Sequence, residues 1–384
     1  MGSPATTVVT DSAGVEIVEA VPPEEGEADG WRVEVEPAVT IGVTEGEDPY
    51  QFTSVQGAGW IPDGRIYVAD WGPHRELRTF DGDGRFLEAW GGGGQGPGEF
   101  AMPPLYALPY RGDSVAMVEV ARISIFDSEG GFGRRLAVRD HFPPSPDRSR
   151  LQSCCTPRAA LPDGSFLVEY PEEGPISGGG VRGEVRVVRV GPEGELIGEV
   201  GRFPGGRWYS VTSNEGARAI RGTYTGHFRL AAVGERILAT DNVEYRIDEV
   251  DGDGRLHRSI RIQRERPILG DEVRRAREEV LESGTGVHAL TRQQVDERLE
   301  LLPDHLPAFD RVLVDPDERI WLVSSAVGSS SREHALVLDS AGEILGEVEF
   351  PSDVWVFEVG AEEVIGVTED ELSVPRVVVH RIVR

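Results

Sequence analysis

The chain contains no lysine: all 39 basic residues are arginine, set against 67 aspartates and glutamates for a formal net charge of −28. A surface of that sign repels phosphate backbones and anionic bilayers, so no nucleic-acid partner is expected. Long apolar runs are also missing. With no stretch of about 18 or more apolar residues, nothing reads as a transmembrane segment, and Met1 to Ala5 lack the basic and apolar regions of a signal peptide. Cysteine is almost absent, only Cys154 and Cys155. A disulfide between neighbours would close a strained ring, and two adjacent thiols are too few to hold a metal, so both read as small buried or half-buried side chains. No Walker loop, dinucleotide fingerprint or Ser-His-Asp order is present. His74, His141, His257, His288, His305, His334 and His380 show no ligand spacing and read as surface or packing residues.

Glycine and proline are plentiful, 48 and 26 residues, which suits many short strands joined by tight turns. A phrase recurs along the chain: strand, short turn, apolar strand, third strand, second turn, closing strand. Its second strands begin at Arg65, Ser114, Ser165, Arg236, Arg319 and Glu363, six copies in all. The second turn recurs as Asp81 to Gly84, Asp127 to Gly130, Gly191 to Gly194, Asp251 to Gly254 and Asp339 to Gly342. None has the ligand spacing of an EF-hand. Gly accepts positive φ and Asp bonds its own backbone, so these are read as hairpin turns. Arg111-Gly-Asp113 falls in another hairpin and is read the same way.

The sixth copy lacks a closing strand, because the chain stops after PRVVVHRIV. Residues Ala38 to Phe52 align with Leu87 to Phe100, a fourth strand and its link, so the missing strand comes from the other end. The expected fold is therefore all-β: a six-bladed β-propeller in which an N-terminal strand completes the last blade and no sheet edge is left at the join. Residues 1–30 read as an extension and 31–384 as the propeller, with a helical insertion at 263–306 between blades four and five. Within it, Asp271 to Ser283 places Val273, Ala276, Val280 and Leu281 on one side, and Thr291 with Gln294 forms a capping box before Val295, Leu299 and Leu302.

The run PDGRIYVAD, FDGDGRF and GGGQGPGEF resembles the NHL repeat and the six-bladed propellers of bacterial envelopes related to it, over roughly residues 31 to 384. The resemblance implies the fold and an extracytoplasmic location, periplasmic or cell-surface. It implies little chemistry, since such propellers share an architecture and no catalytic set.

Links from each fourth strand to the next first strand share one face and are long, at about 91–103, 139–153, 202–224 and 263–306. Loops on a rigid scaffold concentrate binding residues, so this lidded face is the expected site. Aligned first strands bring Gln56, Leu105, Thr156, His227, Asp310 and Val354 near the channel, followed two residues on by Ala58, Ala107, Arg158, Arg229, Val312 and Val356. Arg158 and Arg229 suit a carboxylate or phosphate, joined by Arg311 if the register slips by one. Gln56, Thr156, Tyr224 and Trp208 complete the expected ligand-binding set, and His227 with Asp310 is the candidate acid/base pair. The same Asp and Arg also suit a structural ion pair between blades.

Propellers resembling gluconolactonases hold an axial metal with several Asp, Glu, Asn or His side chains. Here only Asp310 and His227 qualify, with Glu99 and Asp353 as loop candidates, so no metal ligands and no cofactor are expected; a single divalent cation such as calcium in the channel is the alternative. The expected function is a monomeric binding or interaction propeller for an anionic small molecule, glycan or peptide. The alternative is a propeller hydrolase or lyase of the lactonase or esterase type.

Overall fold

The computed structural model describes residues 6–23, 31–138, 155–172, 180–213, 216–284, 289–324 and 332–383. Their strands form six separate sheets. Each is a meander in which consecutive strands pair antiparallel, and the innermost strands are Val55–Trp60, Tyr106–Tyr110, Thr156–Ala160, Arg229–Val233, Arg311–Val314 and Trp355–Val359. Every innermost strand contacts the innermost strand of the next sheet, and the last contacts the first. That ring is the propeller, with a channel on its axis.

Why these segments form blades is visible in their burial. The second strands are covered on both faces, as in Ile66–Asp70 and Ser114–Glu119, and accordingly read as continuous apolar runs. The outermost strands alternate instead, as in Ile344–Glu349. Buried side chains gather into one cluster per blade interface; Trp90, Leu77 and Phe100 of blade one, for example, pack on Met117 and Phe126 of blade two. Blades six and one share Ile41, Phe80, Ile365 and Val377. Closure is as the sequence predicts: Val39–Ile41 and Arg32–Val33 pair antiparallel with Pro375–Val383 of the last blade.

Two features lie outside the repeat. Thr6–Ser12 and Val15–Val21 form a hairpin whose second strand runs parallel to Leu256–Ile262, so the fourth sheet has six strands. In blade three the fourth strand continues from Leu196 to Ser213 and pairs back with Gly216–Arg221. Residues 208–213 and 216–221 of the 202–224 link therefore form a β-ribbon.

The helical insertion holds α1, Asp271–Glu282, and α2, Arg292–Glu300. The capping box forms in both directions: Thr291 accepts the Gln294 N–H, and the Gln294 side chain accepts the Thr291 N–H. Leu269, Val273 and Leu302 bury one apolar patch, against which Tyr224, Leu299 and Leu306 pack. The link at 139–153 and Cys154 lie outside the described residues; Cys155 is buried in the interface between blades two and three.

The repeated turns are built on their aspartates. One carboxylate oxygen of Asp81 accepts the N–H groups of Asp83 and Arg85. Asp127, Asp251, Asp315, Asp339 and Asp370 repeat the bond at i+2 and i+4. The carboxylate closes its own turn. Asp315 is buried and also accepts the indole N–H of fully buried Trp321 at 3.0 Å. Asp315→Ala therefore leaves three N–H donors unsatisfied, and urea unfolding is expected to show a loss of roughly 2–4 kcal/mol.

Candidate functional site

The first residues of the inner strands of blades three to five, and the links before them, bring a set of charged side chains close together. In blade three the pairing skips between Pro157 and Ala159, leaving Arg158 on a β-bulge that turns it out of the regular pleat. Arg158 donates from Nε to Glu169 Oε2 at 2.8 Å. Burial works against its charge, but Glu169 and the neighbouring Tyr106 outweigh it and hold the guanidinium firmly protonated. The Tyr106 hydroxyl donates to the Pro157 carbonyl, and burial pushes its pKa up to about 12, with Arg158 opposing.

Arg229 spans two blades: Nη2 meets Asp310 Oδ1 at 3.0 Å, Nε donates to the Asp310 carbonyl and Nη1 to the Phe228 carbonyl. Arg182, on the third strand of blade three, reaches Asp241 Oδ2 at 3.0 Å and the Gly205 carbonyl at 3.0 Å. Arg221 ends the β-ribbon, directly across from Trp208. It has no acidic partner among the described residues, and burial together with Arg229 and Arg158 lowers its pKa, with Glu169 opposing.

His227 sits within the fields of Arg221, Arg229 and Arg182. Its backbone N–H donates to Asn242 Oδ1 at 2.6 Å, and Asn242 Nδ2 donates to the Phe309 carbonyl at 2.6 Å. Buried Asn242 thus holds His227 of blade four beside Asp310 of blade five. The His227 ring lies against Gly206, where a Cβ would fall 2.7 Å from Nδ1 and 3.1 Å from Arg221 Nε. Nδ1 is buried without a hydrogen-bond partner among the described residues. Burial, then Arg221 and Arg229, bring the imidazole down to about 4 against the pull of Asp310, so it is neutral at pH 7. The arrangement offers guanidinium forks and one polarised neutral ring to an incoming anion.

The other predicted positions divide. Thr156 is half-buried at the start of its strand, and Gln56 occupies a bulge of blade one, where it donates to Ser54 Oγ at 2.9 Å. Tyr224 packs under the lid, with φ of +56°. Arg311 turns away from this cluster: Nη2 lies 2.6 Å from both Glu333 oxygens, Nη1 donates to the Val356 carbonyl, and the guanidinium stacks 4.0 Å from the Trp355 ring centre. It ties blade five to blade six. Glu99 is held in its own loop by the Gly96 N–H. Sequence reasoning missed Arg182, Arg221, Glu169 and Asn242; only the alternation in RWYSVTSNEGARAIRG, with its turn-forming Asn-Glu-Gly, hints at the ribbon that delivers Arg221.

Two outcomes follow. His227 prefers its neutral form more strongly in the folded state, so the stability it contributes is complete above the ordinary histidine pKa of 6.5 and is lost as pH falls from there through about 4. Denaturation midpoints measured over that window are expected to fall less steeply for His227→Gln than for the unmodified chain. Arg311→Ala strands the buried Glu333 carboxylate, and calorimetry is expected to show a destabilisation of about 3–5 kcal/mol.

No family model matches the chain, and no curated protein matches it. Among solved structures, a Bacteroides fragilis protein named as exported superposes with a TM-score of 0.51 at 10% identity, over 96% of this chain and 100% of that one. A DUF4221 family member from Bacteroides vulgatus superposes with a TM-score of 0.52 at 9% identity, over 93% and 100%. A gluconolactonase from Xanthomonas campestris reaches a TM-score of only 0.42 at 15% identity, over 87% of each chain. At these identities the likeness is one of fold alone: the chain is a β-propeller.

Proposed function

We propose that this protein is an extracytoplasmic, NHL-like binding propeller whose lidded channel mouth holds the carboxylate or phosphate of a small molecule, glycan or peptide end. Arg221 carries the reading. It is a guanidinium without an acidic partner among the described residues, placed beside Arg158, Arg229 and neutral His227 in a chain of net charge −28. A surface so acidic gains nothing from collecting like charges at one mouth unless an anion offsets their repulsion. The fold shared with an exported protein and the NHL-like motif of blade one support placement outside the cytoplasm.

Hydrolysis is the weaker reading. A histidine at about 4 is a poor general base at neutral pH. An axial hard cation calls for several oxygen ligands, and among the described residues no three His, Cys, Asp or Glu side chains converge.

Inorganic phosphate, citrate and glucuronate, titrated calorimetrically against the full chain, test the proposal. At least one is expected to bind, and Arg221→Ala or Arg158→Ala to weaken it about tenfold or more, the scale of one charge-assisted hydrogen bond. No binding by any of the three, or affinity indifferent to both substitutions, overturns it.

A further inference from the structure

The far mouth of the channel has the opposite character. A cavity of about 870 Å³ opens among the first hairpins of blades one, two, five and six, on the side away from the helices. Ile61, Pro62, Pro109 and Pro316 give it apolar walls. Half-buried Glu358 and Trp60 are among the residues that line it.

Glu358 is aimed there by the backbone. Pairing in the blade six inner strand skips between Val356 and Glu358, so a bulge at Phe357 shifts the alternation by one residue. The carboxyl then crosses to blade one and rests on Gly59, where any Cβ would fall 1.9 Å from Oε2. The outer edge of the Trp60 indole lies over Gly360, 3.4 Å from the Cβ position there. Two glycines thus leave room for the carboxyl and for the ring, and the carboxyl accepts the Trp60 backbone N–H.

No cation answers this carboxyl among the described residues. Burial raises its pKa to about 8, only partly opposed by the Trp60 backbone N–H, and no arginine enters the balance. The other charged or titratable groups near it are Tyr67, held un-ionised by burial and then by Glu358, and Glu362, Glu363 and Arg381, which line the same cavity. One carboxylate is too few for a hard metal ion, whereas a carboxylate beside an indole within apolar walls suits an organic ammonium.

We propose that this cavity is a second ligand site that takes a protonated primary amine on a hydrocarbon chain, its ammonium bonded to the Glu358 carboxylate and its methylenes lying against Trp60. The site is independent of the arginine cluster at the lidded mouth. Because Glu358 mostly carries a proton at neutral pH in the empty site, amine binding displaces that proton. The ammonium keeps its own charge throughout, so affinity rises with pH until Glu358 is ionised.

Calorimetric titration of the full chain with n-butylammonium chloride, in two buffers of different ionisation enthalpy, tests this. At pH 7 about nine-tenths of a proton is expected to leave per amine bound, and affinity to climb roughly ninefold from pH 6 to 7 and about fivefold from 7 to 8, levelling off above about 9. Glu358→Gln is expected to weaken binding about tenfold or more and to abolish proton release, Trp60→Leu to weaken it several-fold, and neutral n-butanol to bind far less well. Arg221→Ala leaves it unchanged, which separates failure here from failure at the other mouth. Absence of binding at about 50 mM amine, a pH-independent affinity in the unmodified chain, or full affinity in folded Glu358→Gln overturns the proposal.

Discussion

Five backbone pairs hold the architecture in a ring: Val39 with Val379, Thr40 with Val378, Ile41 with Val377, Val33 with Ile382 and Arg32 with Val383. They join the two ends of the propeller chain within one sheet. Without them the last blade has an open outer edge, and the cluster of Ile41, Phe80, Ile365 and Val377 between blades six and one loses a wall. The channel is bounded by six innermost strands in contact around a circle. It exists only while that circle is shut, so everything at either mouth depends on a short stretch of ladder made by residues more than 300 positions apart.

Within the closed ring, arginine serves in two ways. A planar fork can hold a carboxylate and a carbonyl together, as Arg229 does across blades four and five and Arg311 across blades five and six. Those forks are consumed in holding blades together. The ribbon of blade three supplies one that is not, by carrying Arg221 back over the channel on a strand that belongs to no repeat. The buried amide of Asn242 then fixes the neighbouring backbone from below. The same chain ends up with a cationic rim at one mouth and a protonated carboxyl at the other, a polarity along the axis produced by a few side chains rather than by net charge.

What could be read in advance follows physical lines. Turns were legible because Asp and Gly have local reasons to stand where they do, and the aspartates close their own loops as that chemistry predicts. Second strands were legible as unbroken apolar runs, and closure from the one missing strand. The inner strands were harder. Bulges at Gln56, Arg158 and Phe357 break the two-residue alternation on which side-chain direction is judged. In blade six this turns Val354 and Val356, expected at the channel, into the interface with blade five, and brings Glu358 to the axis instead. Arg311 was misjudged for a related reason: its partners, Glu333 and the Val356 carbonyl, lie on other strands and no local pattern announces them.

The N-terminal hairpin bears on how such a ring comes apart. Val18 and Ala20 are wedged with Ile260, Leu336 and Leu338 where blades four and five meet, while residues 32–33 and 39–41, a few positions later, are laced into blade six. Between them Trp31 packs on Trp321 of blade five, 5.7 Å between ring centres. Residues 6–23 and 31–41 are therefore fastened, like a belt, at three successive blades. Peeling the closing strand away from the amino end first requires the hairpin to be dragged out of another sheet, where it is held in parallel register and loaded in shear. Such a fastening raises the barrier to opening more than it adds to equilibrium stability.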